Sequence, residues 1–346
     1  GYNCLLESAP NDLTTILPTV AQDTGLVTVN KTLARSDNTM TLNGAANQFN
    51  LEVNAYAGGI VGYNDAETRL TIRNATNGSD SNAASVGSLK MRGETGILGS
   101  GVSLREYKDS FNYNDYVSDK NARGSMAGGI IGCVGANDDA IDFQRTLSMS
   151  DCRNEGDLAA STASLGGIIG IAEKIDTPAV IENCENKGHI SSPSMADYDV
   201  YYFGGIAGKV NGAFTLRNCV NRGNLTAAVE RDIAGIAVSG GYDAVFENCE
   251  NYGNITVAPN HKPNEGDRWR PCVAGIVAIE NDVTTTITNC TSDCVIDATV
   301  YRATSIDKVY VFQKTWENGT EDTKTVCDEA SKSNSAGTTI NITTRE

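Results

Sequence analysis

Residues 181–190 read IENCENKGHI, which gathers one thiol, two carboxylates and an imidazole within ten positions. Cys184 and His189 are ligand types that zinc accepts, and Glu182 and Glu185 flank them. A structural zinc site needs four ligands at tight spacing, however, and the chain holds only one other histidine, His261, far downstream. The rest of the sequence decides the reading.

The phrase NCENKGHI returns as NCVNRGNL at 218, NCENYGNI at 248 and DCRNEGDL at 151, and in degraded form as NATNGSD at 74 and NCTSDCVI at 289. A second phrase precedes each copy: AGGIVG at 57, AGGIIG at 127, LGGIIG at 165, FGGIAG at 203, IAGIAV at 233 and VAGIVA at 273. Residues 54–298 are thus one unit written six times, and self-similarity at a period of about 30 to 40 residues is the signature of a stacked repeat architecture.

Alignment of the copies yields columns with physical meaning. Ile60, Ile130, Ile168, Ile206, Ile236 and Ile276 fill one apolar position; Ile72, Met149, Ile181, Leu216, Phe246 and Ile287 fill a second; Leu158, Ile190, Leu225, Ile255 and Ile296 fill a third. The segments between turn signals are too short for helices and have the spacing and β-branched content of strands. The pattern predicts an all-β chain: a parallel β-helix, or solenoid, of about six to seven rungs with three short strands per rung. A propeller needs about four strands per blade and a recurring aromatic or Asp signature that is missing here.

The Asn and Gly columns read as corners. Asn183, Asn218, Asn248 and Asn289, and then Asn186, Asn221 and Asn251, tolerate bent backbone and can pair amide to amide up the stack; Gly156, Gly188, Gly223 and Gly253 are expected to supply positive φ. The column Ala75, Cys152, Cys184, Cys219, Cys249 and Cys290 contains an alanine, so the position wants a small buried side chain and not a ligand or a nucleophile. A ladder of reduced thiols follows, because parallel Cβ vectors one rung apart lie beyond the usual disulfide separation. Cys4, Cys133, Cys272, Cys294 and Cys327 are off the column, and a bridge among Cys272, Cys294 and Cys327 is left open by the sequence. His189 shares its column with Asp157, Asn224 and Asn254 and reads as a solvated corner residue.

With these columns in place, the phrase N-C-x-N-x-G-x-[IL] alternating with G-G-I-x-G resembles the GLUG-type repeats of secreted and surface proteins of gut bacteria. The resemblance covers residues 54–298. It implies a β-solenoid on an exported, cell-surface or lipid-anchored protein, adhesin-like or the non-catalytic part of a larger surface protein, and it carries no catalytic residues over.

The 346 residues carry a net charge of −16 and have a pI near 4.6, which disfavours nucleic acid and anionic membranes as partners. No stretch approaches the roughly 20 apolar residues of a membrane span; AGGIIGCVGA at 127–136 comes nearest. The chain starts at Gly1, and the expectation is that a signal or lipoprotein segment has been removed. Residues 1–53 read as an N-terminal cap containing the strands GLVTVN, NTMTLNG and FNLEVN; residues 299–346 read as a C-terminal cap in which VYVF, a turn at Asn318–Gly319 and TTINITT form a hairpin-like cover.

Function is sought where the repeat is irregular. Three long links, 79–127, 191–203 and 257–273, occur at one point of the unit and are expected on one edge of the stack. They carry Tyr107, Tyr113 and Tyr116, then Tyr198, Tyr201 and Tyr202, then Trp269 between Arg268 and Arg270. Aromatic faces beside carboxylates and amides suit sugar rings and protein surfaces, although loop aromatics also shield sheet walls. These nine residues are the candidate ligand-binding set of a non-catalytic monomer that contacts a glycan or a host or cell-surface protein. A polysaccharide lyase or glycoside hydrolase using Asp197, Asp199, Arg268 and Arg270 is the alternative, and a structural spacer the second. No cofactor, metal or catalytic motif stands out: ANDDAID at 136–142 lacks the calcium-binding solenoid pattern, and the sequons at Asn224 and Asn254 follow from the corner pattern.

Overall fold

The computed structural model describes residues 2–3, 38–47, 51–53, 56–64, 68–78, 89–91, 125–134, 146–159, 163–192, 202–228, 232–239, 243–258, 272–279, 285–300, 309–310 and 325–345. The chain is nearly all β with parallel sheets; among the described residues the one helix is α1, Glu329–Asn334.

One copy illustrates the path. The GGI strand Tyr202–Gly204 turns at Gly205 and Ile206 into the long strand Ala207–Arg217. A corner at Asn218 and Cys219 leads to the two-residue amide strand Val220–Asn221, and a turn then leads to the closing strand Leu225–Ala227. Each strand pairs in parallel with its equivalents in the copies before and after. Phe203 lies between Leu165 and Ile233, Ala207 between Ile169 and Ala237, and Leu216 between Ile181 and Phe246. Asn221 lies between Asn186 and Asn251, and Leu225 between Ile190 and Ile255. The sequence columns are therefore the ladder registers.

Three strands per repeat was an undercount. The strands form four sheets, of 13, 7, 7 and 8 strands, and the long strand bends so that its inner half (Ala207–Val210) faces its outer half (Phe214–Arg217). The amide strand escaped detection because its one inward residue is asparagine, so it adds no apolar column.

Three apolar clusters define the layers. The largest lies between the two halves of the long strand and includes the Ile168, Ile206 and Ile236 column, the Ile181, Leu216 and Phe246 column and the column cysteines Cys152, Cys184, Cys219, Cys249 and Cys290. The second lies between closing and GGI strands, with Leu225 and Ile255 on one side and Phe203 and Ile233 on the other. The third, small, holds Tyr202, Ala234, Val238, Cys272, Ala274 and Ala278, where GGI strands face inner halves. Burial of one large side chain in such a layer contributes about 1.5–3 kcal/mol relative to exposure, so columns repeated over the copies outweigh any single polar contact.

The GGI strand and the inner half thus form a narrow arch whose tip points at the amide strand. A Cβ on Gly205 would fall on the Asn221 amide and on the carbonyl oxygen of Gly235; Gly167 stands in the same relation to Asn186, and Gly129 to Asn154. The second glycine of the phrase is required because two backbones and an amide plane meet there, whereas the first is replaced by Ala234 and Ala274 in later copies.

The corner glycines correct a second expectation. Positive φ belongs to the residue before the cysteine, with Asn183 at 54°, Asn218 at 52°, Asn248 at 53° and Asp151 at 57°. Gly188, Gly223 and Gly253 do not share it; a Cβ on any of them would strike the carbonyl of the glycine one copy earlier. Their role is close stacking of turns.

At the N-terminal end, Asn38–Asn43, Ala46–Asn47 and Leu51–Val53 pair with Thr68–Arg73, Thr76–Asn77 and Leu89–Met91, which makes one further, cysteine-free copy with Gly44 at φ 69° in the corner. GLVTVN at 25–30 lies outside the described residues. At the C-terminal end the expected hairpin is replaced by parallel pairing: Thr339–Thr344 runs beside Val295–Val300, and Val309–Tyr310 beside Val273–Ala274. Helix α1 then closes the last copy. Asp328 accepts from Asn289 N at 3.1 Å, Ser331 Oγ from Cys290 N at 2.8 Å and Ser335 Oγ from Ser292 N at 2.7 Å. Those side chains satisfy amide groups that a next copy would otherwise meet.

Candidate functional site

Two amide ladders run the length of the stack in opposite senses. In the buried one, Nδ2 of each asparagine donates to Oδ1 of the next copy: Asn47 to Asn77 and Asn77 to Asn154 at 2.7 Å, then Asn154 to Asn186, Asn186 to Asn221 and Asn221 to Asn251 at 2.8 Å. The ladder ends on Cys294 Sγ, 3.3 Å from Asn251 Nδ2, at a position where earlier copies have glycine. In the exposed ladder the donor faces the preceding copy, with Asn218 to Asn183 and Asn248 to Asn218 at 3.1 Å and Asn289 to Asn248 at 2.7 Å. A buried amide is tolerated because its hydrogen-bonding groups are used: Asn221 Nδ2 also reaches Gly223 O at 3.0 Å, and Gly223 N reaches Asn221 Oδ1 at 3.2 Å.

The thiols Cys152, Cys184, Cys219, Cys249 and Cys290 are buried and unbridged, and Cys133, Cys272 and Cys294 are buried as well; the Cys272–Cys294 disulfide left open by the sequence is not formed. Each column thiol donates to the carbonyl two residues before it, for example Cys184 to Glu182 O at 3.3 Å. Burial, followed by hydrogen bonding to Cys219, pushes the Cys249 thiol well above its ordinary range, and burial likewise pushes up Cys294. Cys249 and Cys294 are core groups held in the neutral form and away from solvent, unlike a reactive cysteine.

Within IENCENKGHI the candidate zinc ligands diverge. Cys184 points into the main core while His189 is exposed, and among the described residues no group of three or more His, Cys, Asp or Glu side chains is arranged to hold a metal ion. His189 belongs instead to a side-chain-to-backbone ladder. Asp157 Oδ1 accepts from His189 N at 2.8 Å, His189 Nδ1 from Asn224 N at 3.2 Å, Asn224 Oδ1 from Asn254 N at 3.0 Å and Asn254 Oδ1 from Val295 N at 2.9 Å. An imidazole, a carboxylate and two amides share one column because each offers an acceptor.

On the outward face of the amide strands, Glu185 bridges Arg153 at 3.3 Å and Arg222 at 2.9 Å, and Lys187 reaches Glu155 at 3.0 Å. Arg222 also covers the ring of Tyr252 at 4.9 Å. The charges along this wall are matched copy to copy, and such surface pairs add little stability.

Of the nine candidate ligand-binding residues, the structure describes one. Tyr202 is not on a loop: it stands in the GGI strand, 4% exposed, with its hydroxyl accepting from Lys209 Nζ at 2.9 Å and Lys209 4.1 Å from its ring centroid. Its link ends two residues sooner than the sequence implied, and alternation along the strand turns Tyr202 toward the inner half of the long strand. Tyr107, Tyr113, Tyr116, Tyr198, Tyr201, Arg268, Trp269 and Arg270 lie outside the described residues, as do Asp197, Asp199 and ANDDAID. Lys209 was missed, although a signal existed: it is the one charged residue in the register of Cys133, Ile171 and Val238.

The strands that flank the links are described, and they fix where the links start and finish. Leu89–Met91 precedes Ser125–Gly128, Ile190–Ser192 precedes Tyr202–Gly204, and Ile255–Val257 precedes Val273–Ala274, in each case a closing strand followed by a GGI strand. Closing strands leave from the amide strand and GGI strands return to it at the arch tip, so these junctions are on the side remote from the amide strand. Long and short links alternate, with 160–162 and 229–231 falling between the long ones.

Searches against family models, curated proteins and solved structures returned no match for the chain.

Proposed function

We propose that the chain is a parallel β-helix of the GLUG-repeat type, with a serpentine cross-section, that acts as a non-catalytic binding or adhesion module outside the cell. The aromatic links contact a glycan or a surface protein. The observation that carries this reading is the placement of the flanking strands: three links of different length and aromatic composition join the same two sheets, on one side of a stack whose buried asparagines are committed to a ladder. A rigid scaffold with variable segments on one side is a common arrangement for recognition. Stacked copies are about 4.8 Å apart, so long links separated by a short one leave the stack about 10 Å from each other, which suits an extended ligand lying along the axis.

Exposure of the protein to a glycan array and to a panel of cell-surface proteins, alongside a sugar-release assay on acidic and neutral polysaccharides, tests the proposal. Binding without sugar release is expected. Retention of that binding in the combined variant Tyr113→Ala, Tyr201→Ala, Trp269→Ala would sink the assignment to the links, and sugar release would replace the binding module by an enzyme.

A further inference from the structure

The last copy is closed on one side and open on another. Beside the amide strand its backbone donors are taken by side chains of the cap, Ser331 Oγ at Cys290 N and Ser335 Oγ at Ser292 N. The sheet of closing strands instead ends on Thr339–Thr344, which pairs with Val295–Val300 on one side and, among the described residues, with no strand on the other. Thr339 N donates to Cys294 O at 3.0 Å, so Thr339, Asn341 and Thr343 turn their backbone groups toward the stack. By the alternation of a β ladder, Ile340 and Ile342 turn theirs toward the open edge.

The side chains mark the same edge as unfinished. Ile340 continues the column of Ile255 and Ile296, and Ile342 that of Val257 and Ala298; the four interior members are buried, whereas both isoleucines are only half-buried. Free edges are ordinarily blunted by charge, proline, a bulge or a covering element. The strand TINITT has no charge and no proline, and its register with Val295–Val300 runs without a bulge. Residues 339–343, TINIT, also read the same in both directions. A strand of that kind is self-complementary about a two-fold axis.

We propose that this edge pairs antiparallel with the same edge of a second copy of the chain, about a two-fold axis through Asn341. Ile340 then stands opposite Ile342 of the second copy, and each such pair exchanges both of its outward N–H···O bonds. The apolar column runs on across the axis, and Asn341 meets its own counterpart on the outer face. A shift of two residues either way sets an isoleucine opposite Thr338 or Thr344, so the centred register is favoured. Helix α1 lies at the start of the strand, and the axis carries the helix of the second copy to the other end. One strand pair is a small interface, so the dimer is weak and the monomer expected from the sequence prevails at low concentration.

Sedimentation equilibrium of the full chain from about 5 µM to about 1 mM tests this, at moderate salt to screen the −16 charge of each copy. A monomer–dimer equilibrium with Kd near ~100 µM is expected. Asn341→Lys should weaken it about fivefold with Tm unchanged: like charges then lie directly opposite in the dimer, while Asp297, whose Oδ1 is 2.7 Å from Asn341 Nδ2, accommodates the cation in the monomer. A mild oxidant should cross-link Asn341→Cys, since the α-carbons of a pair without backbone hydrogen bonds lie about 4.5 Å apart, and should not cross-link Thr344→Cys, whose two copies the axis sends to opposite ends. A chain that stays monomeric to about 1 mM would overturn the pairing. So would a dimer that Asn341→Lys leaves intact and that Asn341→Cys cross-links no better than Thr344→Cys.

Discussion

Gly205 lies against the side-chain amide of Asn221 so closely that no Cβ fits between them. The arch formed by the GGI strand and the inner half of the long strand therefore meets the amide strand with backbone alone. Gly205→Ala should destabilise the fold by about 3 kcal/mol, the upper range for overpacking, because the atoms in its way are the Gly235 carbonyl and a hydrogen-bonded amide and neither is a flexible side-chain end. Urea unfolding checks it; a loss below about 1 kcal/mol would mean that the arch tip is looser than described.

The buried amide ladder makes a separate prediction. Asn221→Ala removes the acceptor of Asn186 Nδ2 and the donor to Asn251 Oδ1, leaving the first with Gly188 O alone and the second with Gly253 N alone, and it also takes away the side-chain partners of Gly223 N and Gly223 O. Each lost hydrogen bond contributes about 0.5–1.5 kcal/mol, so a loss of about 2–5 kcal/mol is expected. A double-mutant cycle with Asn186→Ala should show strong coupling, because the second substitution removes a group that the first had already stranded.

The buried thiol Cys249 makes stability depend on alkaline pH. Burial raises the Cys249 thiol in the folded state, so folding favours its neutral form. Its contribution is complete below the ordinary thiol range near pH ~8.5 and is lost as pH climbs from there toward the raised folded value, at up to about 1.4 kcal/mol per pH unit per thiol. Denaturation midpoints measured from pH 7 to 10 should fall above that range, less steeply in Cys249→Ala. The native protein should also leave the column unmodified by a thiol reagent that labels its five cysteines after denaturation.

At the other end of the pH scale, Asp328 caps both α1 and the last corner. Hydrogen bonds from the Ser331 side chain and backbone hold its carboxyl below the usual range, so its contribution is present above the ordinary carboxylate pKa and disappears as pH falls through the lowered one. Asp328→Ala should cost about 1 kcal/mol and increase amide exchange at Asn289, whose N–H it accepts, with no change at Asn183. Equal exchange at both corners would argue against a local cap.

Much of the β architecture was legible because parallel in-register stacking turns sequence alignment directly into register. Met149, Ile181, Leu216 and Phe246 were aligned as one column and are neighbours in one ladder. The candidate site was less legible. Tyr202 was grouped with its link because a run of tyrosines carries no mark of where a link ends and a strand begins.

The sequence by itself determined the repeat, the parallel register, the small buried thiol column and the pairing amides, all of which follow from identical residues being placed one above another. Tertiary structure alone decided which way each glycine pair bends, and hence that the GGI arch folds into the middle of the stack to give four sheets and three core layers. It also decided that the positive φ belongs to asparagine and the tight contact to glycine. Both residue types tolerate the left-handed region, so conformational preference could not separate them; the carbonyl of the preceding copy's glycine, which leaves no room for a Cβ, could.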